Sequence, residues 1–103
     1  MIQFALFARL EAKAGKEAEV AEFLQAGLAM ALNEQSTPIW FALQLSPTTF
    51  GIFDAFHDEE GRNNHLSGPI AQALNAKAED LFATTPTIES IQVLGLKNES
   101  APA

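Results

Sequence analysis

Three stretches of this chain, Ile2 to Glu11, Ile39 to Leu45 and Phe50 to Phe56, carry large apolar side chains in both of their alternating sets. Phe4 and Leu6 stand against Phe7, Phe41 and Leu43 against Trp40, and Ile52 and Phe56 against Phe53. Successive strand residues point to opposite faces, so a sheet built from these stretches has two apolar faces. A sheet with helices packed on one face normally turns polar residues to water on the other. The second face here calls for a cover that these residues do not supply, and the sheet of a second copy is the simplest one. A homodimer is the expected state.

The rest of the pattern fixes the order of elements. Gly15 breaks the first stretch, and from Lys16 to Asn33 the residues Val20, Phe23, Leu24, Gly27, Leu28, Ala31 and Leu32 recur at three and four, with Glu17, Glu19, Glu22 and Gln25 opposite. That spacing predicts an amphipathic helix. Ser46-Pro47-Thr48-Thr49 reverses the chain between the second and third strands, which predicts a hairpin. Asp58 is a candidate N-cap for a short helix opening on Glu59 and Glu60, and Pro69 suits the first position of a further helix with the face Ile70, Ala73, Leu74, Ala78, Leu81 and Phe82. A last strand is expected over Thr87 to Lys97. The order βαββαβ is that of an α+β, ferredoxin-like fold with a four-stranded antiparallel sheet. Residues 1–97 are expected to form one domain and 98–103 a disordered tail.

Charge and composition remove several function classes. Six Lys and Arg against thirteen Asp and Glu give a net charge of −7, which repels phosphate backbones and anionic lipid, so neither nucleic acid nor a membrane is an expected partner. The chain has no cysteine, which rules out disulfides, thiolate metal sites and cysteine nucleophiles. The first residues alternate like a strand and lack a basic leading region, so a cytoplasmic location is expected. No apolar run approaches the ~20 residues of a membrane span. Phosphate-binding glycine loops and a Gly-x-Ser-x-Gly elbow are absent, and His57 and His65 with Asp54 and Asp58 match no standard metal-ligand spacing, so no metal is expected.

The chemistry concentrates in FDAFHDEEGRNNHL, Phe53 to Leu66. Asp54 is an acid inside an otherwise apolar strand, costly to bury without a partner. His65 lies in the helical segment that follows and carries the side chain best suited to move protons near neutral pH. If that segment folds back over the strand, the two meet. Arg62 lies three residues before His65 and is an alternative partner for Asp54, which would leave His65 idle. His57, beside Asp58 at the strand end, reads as a solvated turn residue.

An acid, an aromatic residue two positions on, an acidic helix start and then a histidine occur here as Asp54, Phe56, Asp58-Glu59-Glu60 and His65-Leu66. With the AGKEAEV opening of the first helix, Ala14 to Val20, this order resembles the antibiotic biosynthesis monooxygenase family, whose members are dimeric α+β barrels of ferredoxin-like subunits. The resemblance runs from Ile2 to Leu96. It implies a pocket within each subunit between sheet and helices. The family's heme-degrading branch is resembled less: where it has an asparagine, a tryptophan and a heme-ligating histidine, this chain has Ala8, Phe56 and about Asn75.

What the resemblance implies is a cofactor-independent monooxygenase, without metal, flavin or heme, that oxidises a small aromatic, quinol or polyphenol-type compound with O2. Triplet oxygen reacts slowly with closed-shell molecules, so the protein must make the substrate electron-rich by removing a proton. On this reading His65 is the catalytic base and Asp54 orients it, so turnover is expected to rise with pH as the imidazole loses its proton. Trp40, Phe53 and Phe56 would wall the planar ring, and His65, Arg62, Asn64 or Trp40 would orient its oxygen, since the chain has no tyrosine. A non-catalytic dimeric ligand-binding or stress-response module with the same pocket is the alternative.

Overall fold

The computed structural model describes residues 1–97. The elements run β1 (Phe4–Glu11), α1 (Glu17–Asn33), β2 (Ile39–Gln44), β3 (Thr49–Phe56), α2 (Glu59–Leu66), α3 (Pro69–Leu81) and β4 (Thr87–Gln92). The expected tail, 98–103, lies outside the described residues. The strands form an open antiparallel sheet in the order β2-β3-β1-β4. The fold is ferredoxin-like, with the second helical segment split in two between Leu66 and Pro69.

Register explains which faces are dry. Phe4, Leu6, Ala8 and Leu10 pair with Phe56, Asp54, Ile52 and Phe50, and Trp40 and Ala42 pair with Asp54 and Ile52, so all of these share one face. The helices cover that face. The main core joins Ala8, Leu10, Val20, Leu24, Phe50, Ile52, Leu74, Leu81 and Phe82. On the opposite face Ile2, Ala5 and Ala55 are buried among Ile39, Phe53, Ile91 and Val93. No helix among the described residues covers that side, and Phe41 there is 55 % exposed.

Two expectations are corrected. The last strand stops at Gln92 rather than Lys97, because β1 has no further partner to offer: the Val93 N–H donates to the Gln3 carbonyl, and beyond it Leu94 and Leu96 are exposed. The helix face of α1 is also narrower than its periodicity suggests. Val20, Leu24 and Ala31 are buried, whereas Leu32 is 77 % exposed and Leu28 is exposed too. Contact runs through the small residue Gly27, where an added Cβ would lie 3.3 Å from the Trp40 ring, so α1 lies close to the sheet along one seam and its neighbouring leucines stay on the rim.

Candidate active site

Asp54 occupies the middle of β3, between Leu6 and Trp40 on the neighbouring strands, and points toward the helices. Leaving an ionised carboxylate there uncompensated would be very costly, and α2 supplies the compensation. The Asp58 side chain accepts from the Gly61 N–H at 2.8 Å and caps the helix that starts at Glu59. Gly61 and His65, four residues apart, form its buried side. A Cβ on Gly61 would stand 2.9 Å from the Ser36 carbonyl oxygen, so glycine there lets α2 press against the connection between α1 and β2. One turn later His65 arrives between two carboxylates.

His65 Nε2 lies 2.8 Å from Asp54 Oδ2, and His65 Nδ1 lies 2.7 Å from Glu34 Oε1. Asp54 is 2 % exposed and His65 7 %. Glu34 is itself pinned: its N–H donates to the Ala31 carbonyl as the C-cap of α1, its carbonyl accepts from the Thr37 N–H, and its Oε1 accepts from the Thr37 hydroxyl at 2.9 Å. Burial is the largest single influence on His65 and disfavours its cation. The hydrogen bond and charge of Asp54, then those of Glu34, act the other way and together outweigh it, so the imidazole pKa lies above the ordinary 6.5. A carboxylate on each ring nitrogen favours the imidazolium, the form that can donate an N–H to both.

That occupancy changes what each group can do. Proton acceptance by His65, with Asp54 orienting it, needs a free ring nitrogen, yet both are engaged. The acceptor left without a donor among the described residues is Asp54 Oδ1, together with Glu34 Oε2. Asp54 and His65 border a cavity of about 30 Å³ walled by Leu6, Ala8, Ile70 and Leu74. Ile52 and Ile70 separate it from an apolar cavity of about 70 Å³ bordered by Phe23, Gly27, Met30 and Trp40. Either alone is well below the ~150 Å³ that takes up a benzene ring.

The other candidates are dispersed. Phe56 is wholly buried with its ring centroid 5.5 Å from that of His65, so it backs the imidazole and does not border either cavity. Trp40 borders the apolar cavity, and its buried Nε1 has no acceptor among the described residues. Arg62 is not the partner of Asp54: its guanidinium lies 5.3 Å from the centre of the Phe4 ring. Asn64 is exposed and borders neither cavity, and His57 is exposed as a turn residue. No group of three or more His, Asp or Glu able to hold a metal ion occurs among the described residues. In the buried triad the imidazole stands between the carboxylates, so the three side chains bind one another rather than converge on a point.

Glu34 was missed. It follows the last turn of α1, where a carboxylate opposes the helix dipole, and that local misfit was the available signal that it serves a contact elsewhere.

No family model matches the chain, and no curated protein matches it. Solved structures do. The NE2512 protein of unknown function from Nitrosomonas europaea is 50% identical, with a TM-score of 0.93 over 100% of this chain and 97% of that one. Two structures named "putative antibiotic biosynthesis monooxygenase" share the fold at low identity. One, from Nitrosomonas europaea, is 15% identical with a TM-score of 0.79 over 89% of this chain and 90% of that one. The other, from Deinococcus radiodurans, is 19% identical with a TM-score of 0.75 over 92% of this chain and 96% of that one. The chain thus belongs to the family of the NE2512 protein and has the ferredoxin-like fold of structures named for antibiotic biosynthesis monooxygenases.

Proposed function

We propose that the protein is a cofactor-independent monooxygenase acting on a small aromatic, quinol or polyphenol-type compound, and that it works as a homodimer joined through the uncovered sheet face. The observation that carries this reading is Asp54, which borders an apolar cavity, pairs through Oδ2 with His65 and keeps a buried Oδ1 without a donor among the described residues. Asp54 takes a proton from the ring hydroxyl or activated CH2 of the substrate, and the electron-rich anion passes an electron to O2. For a CH2 centre the balance is CH2 plus O2 to C=O plus H2O; for a hydroquinone it is hydroquinone plus O2 to hydroxyquinone plus H2O, the substrate itself supplying the electrons that reduce the second oxygen atom to water. His65 keeps Asp54 ionised and oriented, and Ile52 and Ile70 must part to admit a ring.

Oxygen uptake with a hydroquinone or anthrone-type substrate, without added metal, flavin or heme, tests this. His65→Ala and Asp54→Asn should each lower turnover on the order of 10² to 10⁴ fold, the usual scale for general base catalysis. Turnover should fall as pH climbs through the raised pKa of His65, because the group needed is its cation. A rate that rises through that range would restore His65 as the base. The engagement of both His65 ring nitrogens favours a second reading, a non-catalytic dimeric ligand-binding module, and ligand binding without oxygen uptake would select it.

A further inference from the structure

We infer that Glu34 is the positioning residue that gives the Asp54–His65 pair its capacity to take a proton from a ligand. The inference rests on the monooxygenase reading for its ligand class, a ring bearing an acidic hydroxyl, and on the site geometry for everything else. An isolated Asp54–His65 ion pair is already neutral and gains little from a further proton. With Glu34 hydrogen-bonded to Nδ1, the buried group of two carboxylates and one imidazolium carries one net negative charge. Burial in largely apolar surroundings disfavours that charge, and a proton arriving at Asp54 Oδ1 removes it. Glu34 does not border the cavity, so it acts through His65.

The groups around the imidazole leave this charge uncompensated. β3 presents Asp54 and the end of α1 presents Glu34. From its own helix, Arg62 is turned onto the Phe4 ring, while β1 presents Leu6 and α3 presents Ile70 and Leu74. The Thr37 hydroxyl donates to Glu34 Oε1, the same atom that faces His65, and so moderates how strongly Glu34 holds the Nδ1 proton.

Two nearly isosteric variants separate charge from shape. Glu34→Gln keeps an acceptor oxygen for His65 and Thr37 and deletes the charge. Thr37→Val keeps the charge and deletes the donor. Titration of His65 by ¹⁵N NMR on the full chain should show its midpoint lowered by roughly one to three pH units in Glu34→Gln, the scale of one nearby opposite charge. In Thr37→Val it should be raised. An unchanged midpoint in Glu34→Gln, or a wild-type imidazole lacking one ring proton at pH 6, overturns the inference. If Glu34→Gln fails to fold, the sign of the shift in Thr37→Val decides, and a downward or absent shift overturns it.

Absorbance of added p-nitrophenol gives a second readout. The wild type should hold more of the bound probe as phenolate than Glu34→Gln does at the same pH, and equal fractions count against Glu34. A probe bound by neither protein speaks against the ligand class in the monooxygenase reading, and the NMR titration then decides on Glu34 by itself.

Discussion

Glu34 and His65 meet through Oε1 and Nδ1 at 2.7 Å across 31 positions of sequence, and this contact ties the end of α1 to the buried side of α2. With Asp54 on the other nitrogen, the imidazole is held from both sides and its orientation is fixed.

Stability should depend on pH through His65. Its folded pKa lies above its unfolded value, so the folded state binds the imidazole proton more tightly than the unfolded one. The stabilisation is fully present below the unfolded value of about 6.5 and is lost as pH rises through the raised folded value. Urea unfolding between pH 5 and pH 10 should show this decline in the wild type and a flatter profile in His65→Gln.

Among single replacements in the triad, His65→Ala should be the most damaging. It leaves two buried carboxylates facing each other without a cation, a loss on the order of 3–5 kcal/mol for a broken buried pair. Asp54→Asn and Glu34→Gln each leave the imidazolium one anionic partner and should cost less. Urea denaturation at pH 6 ranks the three, and a smaller loss for His65→Ala would mean that water reaches the carboxylates.

Gly61→Ala sets two effects against each other. Alanine in a helix interior gains about 1 kcal/mol over glycine. The new Cβ would stand 2.9 Å from the Ser36 carbonyl oxygen, a backbone atom that cannot swing aside, and overpacking of this kind costs roughly 1–3 kcal/mol. A net loss of stability is expected, with altered His65 NMR shifts because Ser36 lies two residues from Glu34. A more stable protein with unchanged His65 signals would contradict the close approach.

The uncovered sheet face gives a test of assembly. Phe41 and Phe53 lie side by side there, ring centroids 6.4 Å apart, bordering an open groove with Ile2, Ile39 and Val93. Phe41→Glu places a charge where the single chain already exposes the ring, so folding should survive while pairing is lost. Sedimentation velocity at micromolar concentration should show a dimer for the wild type and a folded monomer for the variant.

Much of this architecture was legible in local pattern. Alternation placed Phe4, Leu6, Ile52, Asp54 and Phe56 on one face, the acid at Asp58 marked the start of α2, and Pro69 marked the start of α3. What escaped depends on distance in space. The end of β4 is set by where β1 begins, and the exposure of Leu28 and Leu32 by how near Gly27 lets α1 approach Trp40. The spacing favours His65 as the partner of Asp54 and leaves Arg62 as an alternative. The choice between them turned on Phe4, which holds the guanidinium, and on Glu34, which has no local reason to lie near α2.

The triad draws one member each from the end of α1, the middle of β3 and the last turn of α2. Its charges are brought together and dried only when sheet and helices have docked, so these contacts are expected to form late in folding. Interactions that form after the folding barrier slow unfolding without hastening folding. The Glu34–His65–Asp54 arrangement is then expected to lengthen the lifetime of the native molecule: in stopped-flow kinetics, weakening it should raise the unfolding rate and leave the folding rate nearly unchanged.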